Sequence, residues 1–173
     1  MTIKFDSYGF KAEHLCVAQF NGELISDLQQ QYKDIDCLVR TKKGTEYTAS
    51  VKDQVRSTKQ GYDTIQLELE CINTNNLNST LGCFHKNKSD YYFWLVHYNG
   101  AIHWCIVKSK ALKDFVAKNQ KDLKTWQTTH KTEIMNKNYG RYYDRSKGVL
   151  VTIEQLKNLG ELKLAKVELV KGG

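Results

Sequence analysis

No proline occurs anywhere in the 173 residues, and no two of the five cysteines form a Cys-x-x-Cys pair. The cysteines stand apart at 16, 37, 71, 83 and 105, which argues against a zinc site and against a disulfide framework. Their odd number, and their places inside apolar runs such as DCLV around Cys37 and HWCIV around Cys105, read as reduced, buried thiols. The histidines, at 14, 85, 97, 103 and 130, show neither HxxxH nor HxH spacing, so a zinc-ligand pair is missing as well. His97 and His103 straddle Asn99-Gly100 and are expected to face each other across a hairpin. No apolar run approaches the roughly 18 residues of a membrane span, and MTIKFDSYGF lacks the charged-then-apolar pattern of a secretion signal. The expectation is a soluble, cytoplasmic protein without a membrane partner.

What is present is globular in balance. Apolar residues make up 40% and charged residues 26%, and the length suits one domain that buries its own core. Lys and Arg number 26 against 19 Asp and Glu, a formal charge of +7, which favours polyanionic partners through counterion release. A base-composition bias that excludes proline would also enrich lysine and supply part of this charge.

Periodicity predicts a helix from about Lys11 to Phe20, closed by Asn21-Gly22. An antiparallel hairpin follows, with strands at Ile35 to Arg40 and in EYTASVKDQ, joined at Lys42-Lys43-Gly44. In the run from Thr64 to Ile72, Ile65, Leu67 and Leu69 share one face and Gln66, Glu68 and Glu70 the other. NTNNLNST reads as a turn-rich linker. DYYFWLVHY and AIHWCIVK flank Asn99-Gly100, a strong hairpin signal, and their near-continuous apolar character predicts central strands. Ser109 is the expected N-cap of a helix with Leu112, Phe115 and Val116 inward. VTIEQLKNLG predicts a short capped helix, and ELKLAKVELV a closing strand or amphipathic arm. Residues 1–120 form the expected core, with 121–173 a basic, aromatic extension packed on the same domain.

Cleaving a phosphodiester takes a divalent cation to offset charge on the phosphate and to lower the pKa of the attacking water. Magnesium accepts one or two carboxylates plus a carbonyl and waters, and a lysine beside it orients the water or pairs with phosphate. Asp36 heads one strand, Lys52 ends its hairpin partner, and Glu68 and Glu70 line the polar face of the next. Of Asp34 and Asp36, which precede the same strand, Asp36 is favoured because CLV alternates directly after it. By itself a strand-end lysine is ordinarily a solvated charge.

Glu13 in GFKAEHL, Asp36 in DIDCLV and Lys52 in SVK, with IQLELE and GCFHKNKSDYYFWLV in the same order, resemble the PD-(D/E)xK nuclease superfamily. The likeness is to its phage-type and mobile-element members, including intron-homing nucleases, and covers about residues 9–116. It implies a restriction-endonuclease-like α/β core with a mixed sheet of about four or five strands flanked by helices. It further implies a Mg²⁺- or Mn²⁺-dependent endodeoxyribonuclease, in the host-cell cytoplasm if phage-encoded. The catalytic set would be Asp36, Lys52, Glu68, Glu13 and the strand position Ser50, with Asp36, Glu68, Glu70 and the Val51 carbonyl as metal ligands. The chain departs from the pattern at Ser50, two before the lysine, where the motif has an acid; a carboxylate from a neighbouring element, Glu68 before Glu70, is expected to stand in.

Basic residues interleave with aromatics at Lys86 and Lys88 in CFHKNKSDYYFW and at Lys137, Arg141, Tyr142, Arg145 and Lys147 in NKNYGRYYDRSKG. Such segments suit a nucleic-acid backbone, where cations hold phosphates and rings add stacking. The expected partner is DNA, duplex or branched, ahead of RNA, and a homodimer if both strands are cut. The alternative is a nuclease-fold protein that binds nucleic acid, or a nucleic-acid enzyme, without cutting.

Overall fold

The computed structural model describes residues 10–31, 33–73, 78–129, 134–136, 140–142, 144–159 and 163–166. In chain order the elements are α1 (Phe10–Gln19), β1 (Glu23–Leu24), α2 (Leu28–Gln31), β2 (Cys37–Arg40), β3 (Glu46–Asp53), α3 (Val55–Lys59), β4 (Thr64–Asn73), β5 (Ser79–Leu81) and α4 (Cys83–Lys86). They continue with β6 (Tyr91–Tyr98), β7 (Ala101–Lys108), α5 (Ser109–Asn119), β8 (Thr125–Thr129), β9 (Ile134–Asn136), β10 (Gly140–Tyr142), β11 (Asp144–Thr152), α6 (Ile153–Asn158) and β12 (Lys163–Lys166). The architecture is mixed α/β. One sheet runs β1-β2-β3-β6-β7-β12, a second β5-β4-β11-β8, and β9 with β10 forms a small ribbon.

The main sheet is mixed because β3 and β6 run parallel, with Val51 opposite Phe93, while its other pairs are antiparallel. Alternation sorts its side chains onto two faces. Cys37, Val39, Ala49, Val51, Phe93 and Leu95 pack with Ala12 and Cys16 of α1. The Cys16 and Cys37 sulfurs meet at 4.0 Å inside this layer, and both remain thiols. From the opposite face, Tyr92, Trp94, Val96 and Val107 share a core with Ile65 and Leu67 of β4, Val149 and Val151 of β11, Leu112 of α5 and Leu156 of α6. Trp94, only 1% exposed, sits in this shared layer, so Trp94→Ala is expected to cost about 3–5 kcal/mol.

The strand at Thr64 leaves the hairpin's sheet and founds the second one. Ile65 and Leu67 are buried, and their partner is not β3 but β11, whose Val149 and Val151 present the matching apolar face. The ladder shifts register between Lys147 and Gly148, where a Cβ would stand 1.8 Å from the Leu67 carbonyl oxygen and only glycine fits. The boundary expected at 120/121 falls between α5 and β8. Beyond it, β11 is a central strand of the second sheet and β12 pairs with β7.

Other expectations meet the structure in detail. Asn99 (φ 49°) and Gly100 (φ 77°) turn β6 into β7 with the positive φ pair that this dipeptide favours. Thr152 closes a capping box on α6 with Gln155. Ser109, expected as an N-cap, is the first residue of α5 and the cap is Lys108; the Ser109 hydroxyl is buried instead against Ser89, 3.2 Å away. His97 and His103 do not face each other, because the two-residue turn sets His97 opposite Ile102 and Val96 opposite His103. Part of NTNNLNST, residues 74–77, lies outside the described residues, and its end forms β5. Among the described residues no helix is long and apolar enough to cross a membrane.

Candidate active site

Strand geometry puts Ser50 and Lys52 on one face of β3, opposite the face that buries Ala49 and Val51 against α1. The chain enters β2 through Asp34, Ile35 and Asp36. Asp36 N–H donates to the Ala49 carbonyl at 2.9 Å, the first rung of the hairpin, and its Oδ2 accepts from the Val51 amide at 2.7 Å. The backbone of β3 thus aims the Asp36 carboxylate toward Lys52, whose Nζ is 3.6 Å from Oδ2.

Asp34 joins the same cluster from two residues upstream. Its φ of 55° lies in the left-handed region, which aspartate tolerates better than most side chains. In that conformation Oδ1 is 2.5 Å from Lys52 Nζ, and Oδ2 accepts from Ser50 Oγ at 2.9 Å. Asn87, wholly buried, completes the clamp by donating through Nδ2 to the Asp34 carbonyl at 3.2 Å and to its Oδ2 at 3.3 Å. Asn87 Nδ2 is also within 2.9 Å of Ser89 Oγ, so the amide is fixed from behind. Asp34 therefore stands beside both Ser50 and Lys52, on the face of β3 that these two share.

Electrostatics tie in a residue from α1. The Glu13 carboxyl is held above its ordinary range, first by burial and then by repulsion from Asp36, with Lys52 pulling the other way. At Lys52, burial works against the charge, but Asp34 and Asp36 outweigh it and the net direction is upward. Lys52 is thus an ammonium at neutral pH. Cys83, at the start of α4, borders the cluster; burial and Asp34 push its thiol up to about 11, so it stays neutral.

The two glutamates of the third strand take different places. Glu68 lines a cleft together with Lys52, and its Oε1 accepts from the Cys83 amide at 3.3 Å. Glu70 is turned to β11, where Oε2 pairs with Lys147 at 2.7 Å and Oε1 accepts from Ser79, a hydroxyl of β5. Its ion pair belongs to the second sheet and not to the Lys52 cluster, because Lys147 of β11 and Ser79 of β5 engage both of its oxygens. Val51 buries its side chain in the core while its amide holds Asp36.

Of the basic residues singled out, Lys86 and Lys88 are exposed and flank Asn87 in the sequence, and Lys88 is close enough to Lys113 to repel its charge. Lys113 of α5 reaches the Asn87 carbonyl at 2.5 Å, and its pKa is lowered by burial and by Lys88. Arg145 is exposed on β11, whereas Lys147 is engaged by Glu70. Arg141 and Tyr142 belong to β10, with side chains outside the described residues, as is the whole of Lys137. Sequence reasoning ranked Asp34 second and missed Asn87 and Lys113. Strand periodicity could not signal Asp34, which lies in a turn before β2 with φ 55°; a buried asparagine 53 positions from its partner carries no signal either.

Among the described residues no three of His, Cys, Asp and Glu gather closely enough to hold an ion by themselves. The hard oxygens of Asp34 and Asp36 fit an ion of magnesium type, which takes one or two carboxylates and keeps waters. No family model, curated protein or solved structure matches the chain.

Proposed function

We propose that the chain is a divalent-metal-dependent nuclease that hydrolyses DNA phosphodiester bonds, a variant of the PD-(D/E)xK plan in which Asp34 replaces the acid missing at Ser50. The observation that carries this reading is the meeting of Asp34 and Asp36 at one lysine, 2.5 and 3.6 Å from Lys52 Nζ. Two carboxylates at the entry of a hairpin and an ammonium on its second strand are the groups phosphodiester hydrolysis requires.

Asp34 and Asp36 would hold Mg²⁺ or Mn²⁺, oriented from behind by Ser50, Asn87 and the Val51 amide. Bound there, the ion would offset phosphate charge and acidify a water. Lys52, charged throughout the neutral range, is a partner for a phosphate oxygen and an orienting donor to the water rather than a base. Glu13, raised by burial and by Asp36, is a carboxyl of this cluster with a greater affinity for a proton than an ordinary carboxylate. Lys86, Lys88 and Lys113 give the phosphate backbone a cationic border, in keeping with the net charge of +7. Two sites are needed to cut two strands, which favours a homodimer on duplex DNA.

The test is incubation of the purified chain with supercoiled plasmid and with four-way-junction DNA in Mg²⁺ or Mn²⁺, beside Asp36→Ala and Lys52→Ala. Metal-dependent nicking lost in both variants is expected; nicking retained in either variant rejects the site.

A second reading draws on the Lys52–Asp34 contact itself. An internal ion pair at 2.5 Å competes with a cation for the same oxygen, as a non-cutting binder of nucleic acid or of a nucleic-acid enzyme would tolerate. Salt-sensitive DNA retention without cleavage in either metal would favour it.

A further inference from the structure

Beside the carboxylate cluster, on the face of β3 that carries Lys52, the two sheets part around a cleft of about 330 Å³, at the small end of ligand-pocket sizes. Aromatic rings build its floor. Phe84, Tyr92 and Trp94 stack in a row, with centroids 6.2 and 4.7 Å apart and planes within 18° and 10° of parallel, and all three are almost completely buried. Trp126 of β8 also lines the cleft and keeps part of its surface accessible, while its Nε1 donates to the Val149 carbonyl at 3.2 Å and so fixes the ring.

One polar atom of a residue in this lining lacks a partner. Gln54 Oε1 is buried and has no hydrogen-bond partner, although Gln54 stands at the N-cap of α3, where its side chain caps nothing. A buried acceptor without a donor is costly and marks a place where a partner is missing. Charge narrows the partner further. Lys52 is the only cation among the lining residues, against Asp53 and Glu68, so a second phosphate is disfavoured and a flat, neutral group with a hydrogen-bond donor is favoured.

We propose that the cleft receives a nucleobase turned out of its stack, from a nucleotide adjoining the phosphate held at Lys52. The inference rests on the nuclease reading of the neighbouring cluster and specifies its substrate class: nucleic acid with an unpaired base, as at a branch, a flap, a bulge or a single strand. Lys52 belongs both to the carboxylate cluster and to the cleft, so a phosphate bound there leaves the adjoining base within reach of the aromatic lining. The π-face of any base can lie against Trp126, and on rotation of the Gln54 side chain into the cleft a ring or exocyclic N–H can supply the donor that its buried Oε1 lacks. A paired base inside a duplex offers neither, which makes unpairing the condition for productive binding.

The test uses the full chain in EDTA, so that binding is measured apart from cleavage. Two labelled oligonucleotide duplexes of equal length, one fully matched and one with a single bulged 2-aminopurine, are titrated by anisotropy and by 2-aminopurine emission. The bulged duplex should bind at least tenfold more tightly, with a change in emission on binding. Trp126→Ala, verified by circular dichroism, should bring the preference below threefold. Gln54→Leu should reduce it threefold or more while raising the melting temperature, since it removes the unpartnered oxygen, and it decides the matter alone if Trp126→Ala does not fold. Equal affinity for the two duplexes, or a preference that both variants retain, overturns the proposal. Metal-dependent cutting of matched duplex without any bulge preference would sink the base pocket and leave the nuclease standing. Bulge preference in a chain that cuts nothing would sink the nuclease and leave the pocket.

Discussion

Ser50 Oγ donates to Asp34 Oδ2 at 2.9 Å, so a strand residue two before Lys52 holds a carboxylate by a hydrogen bond. The acid comes from the residue before the hairpin rather than from the strand itself. On the proposed nuclease reading Asp34, and not Glu70, is the residue whose loss matters. Asp34→Asn should lower cleavage on the order of 10²-fold or more, the scale of removing a positioned catalytic group. Glu70→Gln should leave cleavage within a factor of two, since its partner is Lys147. Parallel initial rates on one labelled substrate decide between them.

The position should also be transferable. Ser50 is fully buried beside the Asp34 carboxylate, so Ser50→Asp alone sets two like charges together and should destabilise the chain by about 1–3 kcal/mol. Combined with Asp34→Asn, the same change should recover part of the lost cleavage, because one carboxylate again stands beside Lys52. Denaturant midpoints and cleavage rates of the two single variants and the double variant form the cycle that checks this.

Asn87 fixes Asp34 without touching any reacting atom. Truncating it strips a buried donor from Asp34, and Asn87→Ala is expected to cost about 1–3 kcal/mol, read by urea denaturation. Cleavage should fall with it, and a rise in added Mn²⁺ should restore part of the rate if the loss is one of carboxylate positioning.

The pH dependence of stability follows from Glu13. Its carboxyl is raised in the folded chain by burial and by Asp36, so it contributes most favourably below the ordinary carboxyl pKa and loses that contribution as pH rises through its higher folded value. Above that point the wild type carries a half-buried charge near Asp36. Glu13→Gln should therefore raise the melting temperature at pH 8 and leave it nearly unchanged at pH 4. Melting curves at the two pH values check the sign.

Contacts to phosphate have their own signature. Lys86→Ala and Lys88→Ala should each reduce the slope of log affinity against log salt by about 1, the loss of a single phosphate contact. Lys147→Ala should change it less, because Glu70 already holds that ammonium. Binding isotherms from low to moderate salt separate the three.

Much of the framework was legible because it is written in local patterns. The Asn99-Gly100 turn, the Thr152 capping box and the alternation through Ile65 and Leu67 each depend on residues a few positions apart. Pairing over distance was not legible. Alternation in β4 says which side chains are buried, but nothing in it distinguishes β3 from β11 as the partner, and on that choice hangs the placement of Glu68 and Glu70. The parallel match of β3 with β6 likewise joins segments separated by β4, β5 and two helices. The hairpin brought Asp36 and Lys52 together as its register required. Asp34 reached the same point through a left-handed backbone conformation that apolar periodicity does not register, and Asn87 through a loop contact.

Everything proposed for cleavage at the site requires Asp34 and Asp36 to hold a cation together beside Lys52. Calorimetric titration of Mn²⁺ into the wild type, Asp34→Asn, Asp36→Asn and Glu70→Gln tests it most directly. Binding to the wild type and to Glu70→Gln with similar affinity is expected, with a loss of at least tenfold in each aspartate variant. Undiminished binding by Asp34→Asn, or loss confined to Glu70→Gln, would contradict it.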